Sequence, residues 1–283
     1  MVTLVLNILN VGPYLNSYGL NYTSLLIFCL VWGMAGAFIS LALSRKMAKW
    51  MMGVKLISEN TLHPEERKLF DMVRKLAHKD HLPMPEVGIY QSKEINAFAT
   101  GPSRKRSLVA VSSGLLQKMA PHELEAILAH EVTHIANGDM VTMTFLQGIV
   151  NAFVMFLARV LAYALSGLGK RDNRGGSQGS VMSYYLFTYL FEVVFMILGS
   201  LIIAAFSRYR EFRADRGGAR LSSRESMISA LQTLKATQEV HDPKAESPAI
   251  AALKISHPGK KGLLSLFATH PPLEVRIERL YRS

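Results

Sequence analysis

The chain has 283 residues, of which 49% are hydrophobic and only 19% charged, a balance that excludes intrinsic disorder. One cysteine, Cys29, excludes an internal disulfide framework and a cysteine-based structural zinc site. A net charge of +11 suits nucleic acid, an anionic membrane surface or the flanks of membrane segments, and where the positive charges sit decides among these.

The first apolar run, residues 1–12, is too short to span a bilayer. It lacks the basic start and small-residue cleavage site of a signal peptide. It reads as the end of an incomplete spanning helix, with 16–23 as an outer turn. Thr23–Leu43 is a run of 21 uncharged residues, enough for one membrane crossing. Arg45, Lys46, Lys49 and Trp50 follow at once, the composition of a cytoplasmic membrane exit. A buried core helix is the alternative for that run.

Pro64 opens an amphipathic helix to about His81, with Leu69, Phe70, Val73, Leu76 and Ala77 on one face. Pro83 and Pro85 end it. Short strands are expected at Val87–Tyr90, Ile95–Thr100 and Ser107–Ser112. Pro121 opens a second helix to about Asn137, closed by Gly138. Two apolar stretches follow: Thr142–Leu168, with Arg159 its one charge, and Ser183–Phe206, with Glu192 its one charge. A charge in lipid is costly and finds a partner, so Arg159 and Glu192 are expected to pair across two antiparallel helices. The Gly- and Ser-rich loop between them carries Lys170, Arg171 and Arg174 against Asp172, which opposes an external position for it. An interfacial placement of the two helices is the alternative. Segment 207–240 reads as helix interrupted at Gly217-Gly218, 241–271 as loop, and a short helix starts near Leu273. The expected organisation is therefore membrane segments in 1–43, a soluble domain begun in 44–141, a hydrophobic helical pair in 142–206, and the rest of the soluble domain in 207–283.

The second helix contains His130-Glu131-Val132-Thr133-His134. Residues i and i+4 lie above one another on one helix face, so both imidazoles reach one metal ion. Glu131, beside them, is angled to take a proton from a water attacking a carbonyl. The alternative is a pair of helical histidines with no metal. A catalytic zinc needs a third protein ligand and an open position. Glu211 and Asp215 repeat the i, i+4 spacing on a later element. Glu211 would bind the metal, and Asp215 would accept a hydrogen bond from the far nitrogen of a ligating histidine. Taken alone, that segment reads as a solvated charged helix with Glu211 paired to Arg208.

H-E-V-T-H at 130–134, followed by E-F-R-A-D at 211–215 with two hydrophobic segments between them, resembles the HtpX family of membrane-bound zinc metallopeptidases. The resemblance covers the chain from about residue 20. It implies a gluzincin-type α+β zincin-like fold, mostly helical with a small sheet, attached to several transmembrane helices. It implies one zinc ion per subunit, held by His130, His134 and Glu211, with Glu131 catalytic. It implies a multi-pass protein of the cell inner membrane, its protease domain in the cytoplasm. There it would hydrolyse misfolded or damaged membrane and cytoplasmic proteins under heat stress. Family members usually begin with a complete first hydrophobic segment, whereas this chain begins inside one. Asn96-Ala97-Phe98 resembles the gluzincin edge strand, which pairs with an extended substrate through main-chain hydrogen bonds. His270, fixed by Pro271 and Pro272, is a candidate donor to the developing oxyanion, with a structural turn as its alternative.

Two other readings compete. An intramembrane protease would carry H-E-x-x-H inside a spanning helix, but Glu123, Glu125 and Asp139 surround the motif here. A membrane scaffold or nucleic-acid binder would need one basic patch with interleaved aromatics, yet Arg45, Lys46, Lys49, Lys55, Arg208 and Arg210 flank apolar segments. The expected partners are thus protein or peptide substrates and the lipid bilayer, without nucleic acid.

Overall fold

The computed structural model describes residues 14–16, 19–168, 177–237 and 266–282. The expectations for 1–12, for most of the 170–181 loop and for 241–262 lie outside these residues. The chain divides into two compact units, each built from two separate stretches: 1–40 with 143–203, and 41–142 with 204–283.

The first unit begins with a two-residue hairpin, β1 (Leu15–Asn16) against β2 (Gly19–Leu20), where a turn was expected. Its bulk comes from parts of three helices: α1 (Tyr22–Met52), α5 (Asp139–Leu168) and α6 (Ser177–Leu221). Among the described residues these are the three helices long and apolar enough to cross a membrane. Between apolar helices in lipid no hydrophobic drive remains, so close backbone approach carries the association. Gly33 supplies it: a Cβ there would lie 2.8 Å from the backbone nitrogen of Ala152. Gly199 does the same against Val150, at 2.6 Å. Arg159 and Glu192 pair as expected, with Nη1 and Oε1 2.6 Å apart. Arg159 also donates to the Met155 carbonyl and lies over the Phe28 ring.

The second unit holds a four-stranded sheet in the order β3-β4-β6-β5. β3 (Lys55–Leu56) runs antiparallel to β4 (Glu86–Tyr90), β4 parallel to β6 (Arg106–Ser112), and β6 antiparallel to β5 (Ala97–Ser103). The sheet thus ends at β5. Helices α2 (Pro64–Lys79), α3 (Ser113–Lys118), α4 (Pro121–Asn137), α7 (Arg224–Ala236) and α8 (Leu273–Tyr281) complete the unit. One core joins Leu69, Val73 and Leu76 of α2, Val109 and Val111 of β6, Ile127, Leu128 and Val132 of α4, and Met227 and Leu231 of α7. Ala48, Tyr90, Phe98, Leu108 and Ala110 form a smaller one.

Helix α4 is fixed at both ends. Pro121 occupies its first turn, and the Glu123 carboxylate accepts from the Ala120 amide at 3.0 Å. Glu123 also accepts from Ser229 and Thr233 of α7, at 2.6 and 2.7 Å. Gly138 ends the helix at φ 68°, a left-handed conformation that only glycine adopts without strain.

One local expectation fails. Gly217-Gly218 does not interrupt α6, which continues to Leu221; the break comes at Ser223, whose side chain caps α7 by accepting from the Ser226 amide. The glycines serve packing instead. A Cβ on Gly217 would sit 2.6 Å from Thr133 Oγ1, and one on Gly218 3.2 Å from the His130 backbone nitrogen. They let α6 approach the face of α4 that carries the histidine motif.

Candidate metal centre

The i, i+4 spacing on α4 sets the His130 and His134 rings edge to face, with their Nε2 atoms 3.1 Å apart. Helix α6 brings Glu211 against both: Oε2 lies 3.6 Å from His130 Nε2, and Oε1 3.5 Å from His134 Nε2. His130 and Glu211 are each 1% exposed and His134 9%.

The remaining ring nitrogens decide what this cluster can hold. His134 Nδ1 lies 2.6 Å from Asp139 Oδ2, and His130 Nδ1 3.0 Å from Asp215 Oδ1. The His134–Asp139 contact is a hydrogen bond, and an ionised carboxylate only accepts, so His134 Nδ1 carries the proton and its Nε2 presents a lone pair. That lone pair, His130 Nε2 and a carboxylate oxygen face one another in a buried space suited to a cation. Zn–N bonds of about 2.0–2.1 Å in tetrahedral geometry put two ligand atoms about 3.3 Å apart. The three donors therefore fit zinc closely.

Charged side chains surround the donors. Arg213 Nη2 lies 2.6 Å from Asp139 Oδ1. Arg276, on α8, clamps Asp215 with bonds of 2.8 and 2.5 Å, and its Nη1 stands 3.8 Å from Glu211 Oε2. His270 Nδ1 is 3.0 Å from the same Glu211 oxygen. The alternative for Glu211, a surface pairing with Arg208, is not formed. Arg208 donates to the Leu266 and Ala268 carbonyls, just ahead of His270, and Arg210 is the arginine near Glu211, at 3.4 Å. Burial disfavours the imidazolium of His130, but Asp215 and Glu211 outweigh it and raise its pKa to about 9. His134 moves the same way, burial being overcome by Asp139 and Glu211. Glu211 lies on the part of α6 that belongs to the second unit. Burial opposes its charge, yet the His270, His130 and His134 rings hold its carboxyl well below the usual range.

The model of peptidase family M48 matches residues 63–283. The chain belongs to peptidase family M48. Two relatives described as Protease HtpX homologs are similar over its whole length. That of Methylacidiphilum infernorum is 47% identical over 285 residues, spanning 100% of this chain and 93% of its own. That of Bacillus velezensis is 49% identical over 283 residues, spanning 99% and 92%. The crystal structure of S. mikatae Ste24p shares the fold, with a TM-score of 0.62 at 16% identity, over 90% of this chain and 58% of that one. This M48 member is a membrane-bound metallopeptidase with zinc as its metal. Its motif helix, α4, is not among the three helices long and apolar enough to cross a membrane.

In this M48 chain Glu131 is 5% exposed, and burial raises its carboxyl pKa. The charges of His130 and His134 and a hydrogen bond from the Ala99 backbone N–H offset only part of that rise. Ala99 belongs to the edge strand β5. Asn96 exchanges a backbone bond with Ser112, the Ser112 amide donating to its carbonyl at 2.9 Å. Alternation along the antiparallel ladder then points the backbone N–H and C=O groups of Phe98 and Thr100 toward β6, and those of Ala97 and Ala99 away from it. The Asn96 side chain is buried, and its Nδ2 donates to the Tyr90 hydroxyl at 2.8 Å.

Asp139, Arg213 and Arg276 were not anticipated from sequence. The trace for Arg276 is a charge between Leu273 and Leu280 on the buried face of an amphipathic helix. That for Asp139 is an acid directly after the glycine that ends the motif helix.

Proposed function

We propose that this peptidase is an endopeptidase in which His130, His134 and Glu211 hold the zinc and Glu131 is the general base. The observation that carries the reading is the convergence of three donors at zinc-like spacing beside a buried carboxylate of raised pKa. Bound zinc polarises the scissile carbonyl and lowers the pKa of the attacking water. Glu131 accepts the proton of that water as it attacks and returns it to the leaving amine. A raised pKa suits both halves of the transfer. Asp215 supports His130 through Nδ1. His270, held near Glu211, donates to the oxyanion as it forms.

The substrate enters as an extended strand along Ala97–Phe98, using the outward N–H and C=O groups of Ala97, while the Ala99 N–H is held by Glu131. Asn96 anchors the start of this strand through Tyr90. Main-chain pairing requires an unfolded stretch, so the substrates are damaged or misfolded membrane and cytoplasmic proteins. Arg45, Lys46 and Lys49, directly after the apolar part of α1, orient that crossing with its C-terminal end in the cytoplasm. On this reading the second unit works at the cytoplasmic face of the inner membrane.

The test is Glu131→Gln in detergent-purified protein, assayed on casein with zinc content measured in parallel. Zinc should remain, while the turnover rate falls by about 10²–10⁴-fold, the span of a lost general base. Turnover near the wild-type rate would sink the assignment. For orientation, protease added to sealed right-side-out cells should leave 207–283 intact, and digestion there would reverse the topology.

A further inference from the structure

We propose that Asp139, clamped by Arg213, is a positioning residue that sets the tautomer and tilt of His134 for zinc. The inference rests on His134 being a zinc ligand. Of the two contacts between a ring Nδ1 and an aspartate, the His134–Asp139 contact is the shorter, at 2.6 Å against 3.0 Å for His130–Asp215.

The chain reaches this geometry through one special backbone position. Helix α4 ends at Asn137, Gly138 turns left-handed, and α5 starts at Asp139. A carboxylate five residues beyond His134 would otherwise point away from its ring. Both Asp139 oxygens are engaged by side chains, Oδ2 by His134 and Oδ1 by Arg213. An acid placed only to favour a helix N-terminus works when exposed. Asp139 is 1% exposed. Burying an ion pair is often neutral or unfavourable for stability, so such a pair is better explained by the geometry it enforces. Arg213 lies two residues beyond Glu211 on α6. The chain His134–Asp139–Arg213 therefore ties one zinc ligand to the helix that carries another.

The test compares Asp139→Asn, Arg213→Gln, Arg213→Lys and His134→Ala in the full chain, purified in detergent. Zinc affinity is measured by chelator competition, the visible spectrum after cobalt substitution reports ligand geometry, and melting of the metal-free protein reports stability. Asp139→Asn should weaken zinc about 10–100-fold and alter the cobalt spectrum. Arg213→Gln should do the same to a smaller degree, and Arg213→Lys should restore most of the loss. A purely structural role would lower metal-free melting without changing the cobalt spectrum. Wild-type zinc affinity and spectrum in Asp139→Asn would overturn the proposal. If that variant fails to fold, the half-exposed Arg213 decides: an unchanged affinity in Arg213→Gln would overturn it equally. If His134→Ala keeps zinc at wild-type affinity, the ligand assignment itself has failed, which is a different result from either.

Discussion

Each unit buries charge, and the two do so in opposite ways. In the first unit Arg159 meets Glu192, one cation for one anion, and the pair is closed. In the second, Glu131, Glu211, Asp215 and Asp139 converge on two histidines, and the arginines attend mainly to Asp215 and Asp139. Glu211, with His270 and Arg210 beside it, still turns both oxygens toward the facing Nε2 atoms, and nothing in the protein fills the space among these donors. A self-compensated pair holds helices together. An incomplete set of donors calls for a ligand. Buried charge marks function only where the surrounding protein does not balance it.

The comparison breaks most sharply at the donors. His130→Ala, His134→Ala or Glu211→Ala should each leave the protein unable to retain zinc at nanomolar free metal, read by metal analysis after dialysis. Stoichiometric zinc in Glu211→Ala would move the third ligand elsewhere. Folding of the first unit should be untouched by these changes.

Next in size is the closed pair. Glu192→Gln takes the anion from Arg159, and because the pair is only partly buried the loss should fall below the about 3–5 kcal/mol of a fully buried pair. Replacing both, as Arg159→Met with Glu192→Leu, should recover most of that loss, because no charge is left unbalanced. Thermal unfolding in detergent is the readout, and zinc affinity should not change. If the double variant melts as low as the single one, the pair does more than balance itself.

A pH series separates the two units further. The metal-free His130 has a pKa of about 9, raised above its ordinary value, so it holds a proton at neutral pH that zinc must displace. Apparent zinc affinity should therefore rise with pH up to about 9, by about tenfold per unit for each proton released. The gain disappears above that pKa. Chelator competition at stepped pH measures it, and a flat profile from pH 6.5 to 8.5 would contradict the proton-for-metal exchange.

The smallest effect concerns a carboxylate with ample donors. Burial would raise the Glu123 pKa, but Ser229, Thr233 and the Ala120 amide together hold it below the usual value. Its contribution is then present above the unfolded-state pKa and fades as pH falls through the lowered folded one. Glu123→Gln should cost about 1–2 kcal/mol at neutral pH, less at acid pH, measured by thermal melting.

Much of this was legible in the sequence, for local reasons. Pro64 and Pro121 start helices because the missing N–H is harmless in a first turn, and both helices begin there. Arg159 and Glu192 were readable as a pair because a charge within an apolar helix has few other choices. Gly217-Gly218 was misread because a glycine pair signals a break and a close approach alike. Only Thr133 and His130, far away in the chain, separate the two meanings. Asp139, Arg213 and Arg276 were invisible for the same reason: each acts through a partner brought in by the fold. The two-residue strands of the hairpin and β3 are too short to leave a periodic pattern.

The order of the chain also imposes a schedule on its birth. His130 and His134 leave the ribosome before the apolar lengths of α5 and α6, and Glu211 only after them. At about 5–20 residues per second, roughly 4–15 s pass between the second histidine and the glutamate. Under the proposed ligand assignment the nascent protein holds two of its three donors throughout that interval, and the centre is complete only after the apolar lengths of both helices have been made.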